Sequence, residues 1–356
     1  MESPQIASAR RTVAADPNNA SAHADLGTLL LKYGIAEEAE REFRKAVDLR
    51  PDEIGHKCKH ADSLVRLNRL DEAIAALRVA TKRAPKNSSV RVQLGELLSR
   101  KGDIRSAEME FRAAIAVNPT VVWFHNCLGQ ALSKQGRIKE AIEAHRNAVE
   151  LDANNPNSLA HLGDLLVRAN KLEEAERALS SAATLAPNAQ WIQVALGRLY
   201  RRRGLLNEAV LCLQKAVGID PKNAHPHAAL GEALTAKGDY GASERELLRA
   251  IELNPNAASF YAYLAGLYEK QDRREKAIEA WAQALHREPH NDAFSARRDA
   301  LRAAGTRAQS QAPAPSSATD IPRASADKTI ATHRSPTPSK ANSRSAQKSW
   351  WNRIKD

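Results

Sequence analysis

Apolar and small residues return along this chain at a fixed interval of 34 positions. Prolines mark the interval. They stand at 17, 51, 85, 119, 187, 221, 255 and 289, and the one double gap spans Ala153. With residue 20 taken as position 1, eight units follow in phase: 20–53, 54–87, 88–121, 122–155, 156–189, 190–223, 224–257 and 258–291. No insertion or deletion is needed, and a repeat this regular governs the architecture before any single residue does. Position 7 is Leu in every unit but the second, where it is His60; position 8 is Gly or Ala throughout; position 11 is Leu or Tyr. Spacings of 4, 7, 8 and 11 lie on one face of an α-helix. Position 15 is Gly34, Asn68, Gly102, Gly136, Asn170, Gly204, Gly238 or Asp272, residue types that tolerate the left-handed conformation closing a helix. A second stripe follows at positions 20, 24 and 27, as in Ala39, Phe43 and Ala46 or Ala107, Phe111 and Ala114. Proline at position 32 stops this second helix, since it lacks the N–H and disfavours helix in the residue before it.

Each unit is therefore predicted to be a helix–turn–helix. One such pair cannot bury its apolar stripe alone, so successive pairs must stack to make a core. Small residues at positions 8, 20 and 27 allow close backbone approach, and larger ones at 7, 11 and 24 fill the space between. This accounts for a long chain that contains only 4% aromatic residues.

At these columns the sequence resembles the tetratricopeptide repeat (TPR) family, whose pattern W-x2-L-G-x2-Y…A-x3-F…P is met over 20–291. The resemblance implies an all-α fold, a helix-turn-helix solenoid wound as a right-handed superhelix, with a concave groove that the family uses to hold peptides or partner proteins. Two units depart from the pattern, with His60 at position 7 of the second and His145 at position 24 and Ala153 at position 32 of the fourth. Looser packing is expected there. The expected organisation is an N-terminal capping half-repeat over 1–19, eight TPR repeats over 20–291, a capping helix over 292–305, and a disordered basic tail rich in Pro, Ser and Ala over 306–356.

Charge and composition change the picture mainly by exclusion. Of the net charge of +11, the last 51 residues carry +6, with 9 basic and 3 acidic side chains. The repeats are nearly balanced, unlike a nucleic-acid platform with its basic face, and no nucleic-acid partner is expected. Apolar runs fall far short of the roughly 18 residues that signal a membrane span, and the first residues, MESPQIASARR, do not read as a secretory leader. Cys58, Cys127 and Cys212 are three scattered cysteines without a C-x-x-C, which leaves no disulfide framework or zinc ribbon. A cytoplasmic location is expected.

No phosphate-binding, dinucleotide, nucleophile-elbow or H-E-x-x-H motif occurs. His56 and His60 have ligand spacing on a helix, but Cys58 between them points elsewhere, and His225-Pro226-His227 has no third ligand nearby. Neither group is read as a metal site. No catalytic residue, cofactor or metal is assigned, and the chain is not expected to be an enzyme.

The resemblance carries positions 2, 5, 9, 12 and 13 of each first helix to the concave face. Position 13 is an almost unbroken basic line that includes Lys134, Arg168 and Arg202. Cations near helix C-termini and i,i+4 pairs with Asp62, Glu96 and Asp164 account for it equally well. Repeat 6 stands apart, with Arg198 at position 9, then Arg201, Arg202 and Arg203, and Trp191 at position 2; Trp123 holds position 2 two repeats earlier. A tryptophan beside unpaired arginines has the composition of a binding hot spot, and guanidinium groups favour carboxylates or phosphates. The competing account is that both tryptophans pack between repeats and the arginines are simply solvated. The groove candidates are Trp123, Asn126, Gln130, Lys134, Arg168, Trp191, Arg198, Arg201 and Arg202, with an acidic or phosphorylated peptide as the expected occupant. In the tail, Trp350, Trp351 and Arg353 read as a short docking motif or a weak contact with an anionic membrane.

The function these features imply is a non-catalytic scaffold or adaptor that binds a peptide or partner protein in the groove. The alternative is a recruiting subunit of a transferase or of a secretion or envelope-assembly machine.

Overall fold

A computed structural model describes residues 3–311. The chain opens with α1 (Pro4–Ala15) and continues as eight antiparallel helix pairs. These are α2 (Ala20–Lys32) with α3 (Ala36–Leu49), α4 (Ile54–Arg66) with α5 (Leu70–Arg83), α6 (Ser88–Lys101) with α7 (Ile104–Val117), and α8 (Val122–Lys134) with α9 (Ile138–Leu151). The second half comprises α10 (Pro156–Arg168) with α11 (Leu172–Leu185), α12 (Gln190–Arg202) with α13 (Leu206–Ile219), α14 (Ala224–Lys237) with α15 (Tyr240–Leu253), and α16 (Ala258–Lys270) with α17 (Arg274–Arg287). A last helix, α18, spans Asp292–Gln311. It runs beyond the expected end at residue 305 because Gly305 does not break it and the next proline is Pro313. No strand occurs among the described residues.

The boundaries follow from local chemistry. The side chains of Asn19, Asn87, Asn155 and Asn223 cap first helices by accepting a backbone N–H, which satisfies one of the orphan donors at a helix start. At the turn inside each pair, all eight position-15 residues have positive φ, from 57° at Asp272 to 93° at Gly102. The following N–H then reaches back five residues, as in Ile35 to Leu30 at 2.9 Å and Arg273 to Tyr268 at 2.9 Å. This bond satisfies a carbonyl that the helix end would leave unpaired.

Within a pair, the side chain at position 24 sits on the small residue at position 8. A Cβ placed on Gly95 would lie 2.5 Å from Phe111 Cε1, and one on Gly163 would lie 2.5 Å from Leu179 Cγ. His145 does the same work in repeat 4. It is 1% exposed, and a Cβ on Gly129 would meet its ring at 2.5 Å. The expected loosening is thus absent there, and α8 and α9 pack as closely as the other pairs. It is present in repeat 2, where α4 and α5 pack least closely of the eight; His60 is drawn toward Glu40 of α3, its Nε2 lying 3.0 Å from Oε1.

Between pairs, proline at position 32 has a second role besides stopping the helix. Its carbonyl is bound by the position-4 side chain of the next helix. His23 reaches Pro17 at 3.0 Å, Arg91 reaches Pro85 at 2.8 Å, His125 reaches Pro119 at 2.8 Å, and His227 reaches Pro221 at 3.0 Å. Lys57, Gln193 and Tyr261 make the equivalent bond to Pro51, Pro187 and Pro255. Within the repeats the exception is Leu159, and it follows Ala153, the one position 32 without proline; at the end of the array Ser295 of α18 donates to Asp292 O instead of to Pro289. First helices of neighbouring pairs also touch, α10 with α12, α12 with α14 and α14 with α16, whereas successive second helices do not pack in this way. First helices therefore line the tighter, inner side of the stack. Apolar clusters run along its length, from Ile6, Leu26 and Phe43 at one end to Val210, Leu213 and Leu230 in repeats 6 and 7.

The Gly163→Ala substitution is expected to cost about 1–3 kcal/mol through overpacking against Leu179. Gly218→Ala, where an added Cβ meets nothing within 4 Å, is expected to gain up to about 1 kcal/mol from helix propensity. Urea unfolding followed by circular dichroism separates the two.

Candidate functional site

The inner wall is built from positions 2, 5, 6, 9, 12 and 13 of the first helices, and in repeats 4 and 5 several of its polar side chains are engaged within the stack. Lys134 Nζ donates to Ser99 Oγ at 3.1 Å, and Arg168 NH1 donates to Ser133 Oγ at 2.7 Å. Position 13 therefore reaches back to position 12 of the preceding repeat. The expected i,i+4 ion pairs of Arg66, Arg100 and Arg168 with Asp62, Glu96 and Asp164 do not form.

Asn126 and Gln130 belong to an internal chain. His145 Nδ1 donates to Asn126 Oδ1 at 2.9 Å, and Asn126 Nδ2 donates to Ser158 Oγ at 2.8 Å. Gln130 Nε2 donates toward His161 Nε2 at 3.3 Å. The His161 ring lies between those of His145, 5.4 Å away, and Trp191, stacked at 5.0 Å. Burial holds both imidazoles neutral. It pushes His145 down to about 3, helped by His161, and lowers His161 against the opposing pull of Asp164.

Above this chain lies a cleft of about 340 Å³ between α10, α12 and α14. It is lined by the stacked Trp191 and His161, by Val194 and Ala195 of α12, by Asn223, His225 and Pro226 at the start of α14, and by the charged Asp164 and Arg198. Gln190 anchors the start of α14, donating to Ala216 O at 2.8 Å and accepting from Asn223 at 2.7 Å. Trp191 remains 39% exposed.

Of the nine groove candidates, the structure gathers Trp191 and Arg198 in the cleft and places Gln130 and Asn126 in the support behind it. Trp123 does not join them. It is 46% exposed and tilts against Phe124 at 6.0 Å. The arginine run is not uniformly unpaired, a correction to the sequence reading. Arg201 NH1 lies 3.0 Å from Glu232 Oε1, and Arg203 pairs with Glu176 of α11. Arg198 and Arg202 make no ion pair among the described residues. Sequence reasoning missed His161, Asp164, Asn223 and His225 as cleft residues, although His225 continues the position-2 column of Trp123 and Trp191. The motif residues Trp350, Trp351 and Arg353, with the rest of 312–356, lie outside the described residues.

The two thiols on the wall are not activated. Burial pushes the Cys58 thiol up to about 11 and that of Cys127 up to about 12, which suppresses the thiolate. His56 is buried with its Nδ1 unpartnered, while His60 pairs with Glu40. Among the described residues no group of three or more His, Cys, Asp or Glu could hold a metal ion, and no helix is long and apolar enough to cross a membrane.

A family profile described as "Cilia and flagella-associated protein 70 C-terminal domain" matches residues 56–252, more than half of the chain. A second, described as "Tetratricopeptide repeat", matches 6–54 and 228–293. The chain belongs to the tetratricopeptide repeat family. No curated protein matches the sequence. Among solved structures, a tetratricopeptide repeat protein from Parabacteroides merdae is similar at TM-score 0.61 and 13% identity, covering 70% of this chain and 98% of that one. The APC/C hetero-tetramer Cut9-Hcn1 is similar at TM-score 0.59 and 18% identity, covering 75% of this chain. The chain spans about half (52%) of the length of that matched chain. Both likenesses show the fold.

Because the folded His145 binds its proton far more weakly than the unfolded one, the unfolded state takes up the proton as pH falls. The contribution of a neutral His145 to stability is therefore fully present above about pH 6.5 and is lost toward pH 3, by up to about 1.4 kcal/mol per pH unit. His145→Leu, which places at position 24 the residue found in repeats 2, 5, 6 and 7, should flatten this part of the stability profile in urea titrations at pH 4 and pH 7.

Proposed function

We propose that this chain is a non-catalytic interaction scaffold that holds an extended peptide, or a peptide-like segment of a partner protein, along its inner wall, with the cleft between α10, α12 and α14 as the anchor point. The observation that carries this reading is the half-exposed Trp191, fixed by its stack on His161 and set beside an Arg198 that no described residue pairs. Aromatic rings held rigid at low entropic cost, next to an available guanidinium, are the groups that dominate binding energy at interfaces. Carboxylates on the partner would meet Arg198, and the apolar stem of a neighbouring residue would cover the indole. That Cut9-Hcn1 was solved as a hetero-tetramer is consistent with a stack of this kind serving as an assembly platform. A cytoplasmic setting suits a chain with three unpaired thiols.

Trp191→Ala and Arg198→Ala are each expected to reduce recovery of co-purifying partners by about tenfold or more, while Arg249→Ala, in an exposed ion pair on α15, leaves it unchanged. Quantitative mass spectrometry of affinity-purified material from cells makes the comparison, with circular dichroism to show that each variant is folded. Equal recovery from all three variants would remove the reading.

A further inference from the structure

The cleft is lined by two opposite charges that no described residue pairs. Arg198 and Asp164 both line its space of about 340 Å³, and neither makes a hydrogen bond or ion pair with a described residue. The neighbouring joint shows what a pairing there looks like: Arg201 at position 12 of repeat 6 meets Glu232 at position 9 of repeat 7, at 3.0 Å. One repeat earlier, position 12 is the buried Val167, so Arg198 at position 9 has no equivalent partner. At position 12 of repeat 4, Ser133 is taken up by Arg168, and nothing there engages Asp164. The substitution pattern of the columns thus leaves both without a hydrogen-bond or ion-pair partner among the described residues, Asp164 acting only through its field on His161 and Arg198 on Tyr263.

A cleft of this kind discriminates by charge pattern more than by total charge. A phosphate group, with roughly −1.5 to −2 charge, would be drawn to Arg198 but opposed by Asp164. A purely basic segment would gain Asp164 and be opposed by Arg198. His161 adds no third charge, since burial lowers its pKa. The volume is at the small end of the roughly 300–1,000 Å³ range of ligand pockets, so a short segment fits and a folded surface does not.

We propose that the cleft selects a peptide segment of mixed charge, with a carboxylate side chain against Arg198, a cationic side chain against Asp164, and the aliphatic stem of one of them lying on the Trp191 ring. This rests on the groove-binding reading above and narrows it. It also separates carboxylate from phosphate, which the arginines alone do not. Like-charge juxtaposition penalises the wrong occupants, and specificity depends on such penalties as much as on attraction.

The test uses the full chain and four fluorescein-labelled hexapeptide pools, each with two central positions fixed and the others randomised: Glu with Lys in both orders, Glu with Glu, phosphoserine with Ala, and Lys with Lys. Fluorescence anisotropy is expected to show the mixed pool binding at least about fivefold more tightly than the others. Asp164→Asn should move the preference to the Glu–Glu and phosphoserine pools, and Arg198→Gln should move it to the Lys–Lys pool. The double charge swap Asp164→Arg with Arg198→Asp should recover the mixed preference that either single reversal loses. If the wild-type chain prefers the phosphoserine, Glu–Glu or Lys–Lys pool, or if Asp164→Asn leaves the ranking unchanged, the inference is overturned while groove binding stands. If no pool binds the wild-type chain, the groove reading fails and takes the inference with it.

Discussion

The whole stack depends on how closely two helices approach within a pair. At position 8 the first helix carries hydrogen or a methyl group, and the side chain at position 24 of the second helix occupies the space that a larger residue would claim. Phe43, Phe111, His145, Leu179, Leu213 and Leu247 all take this place. The chemical identity of the filler varies, but the geometry does not, because a packed interior tolerates changes of shape only where volume is conserved.

Much of this was legible in the sequence because it is local or strictly periodic. The position-15 column fixed the turns, since only a few residue types accept positive φ, and Asn68, Asn170 and Asp272 adopt it as readily as the glycines do. The helix stripes were visible as spacings. What was not legible depends on side chains meeting across repeats. Nothing in the spacing says that Arg201 will find Glu232 while Arg198, three residues before it, finds no ion-pair partner among the described residues. The loosening expected from both histidine departures shows the same limit. His145 fills its site as well as a hydrocarbon does once Asn126 accepts its N–H, while His60 leaves its column for Glu40. The link between proline carbonyls and position 4 is periodic and so was present in the letters, but it becomes meaningful only when the carbonyl is seen to need a donor.

The candidate site shows how a repeat array separates structural from available polarity. Asn126, Gln130, Lys134 and Arg168 all carry the composition of a binding surface, yet each is held by a neighbour within the stack. Among the residues lining the cleft, Trp191, Arg198 and Asp164 are not held in this way. A buried polar group is expected to be satisfied, so the informative residues on such a wall are the exposed ones whose columns have changed on both sides.

The joints between pairs have a consequence for how such a chain can change length. Since each joint uses a carbonyl from one unit and a donor from the next, excising a whole unit of 34 residues joins a carbonyl to a donor of the same kind, and the reach of the array is adjustable in discrete steps. The step is not free everywhere. A cut that brought Leu159 behind a proline would strand that proline's carbonyl, whereas a cut that placed His227 behind Ala153 would strand nothing. Growth and loss of units are therefore directional around the middle of the molecule, with a seam that accepts new material on one side more readily than on the other.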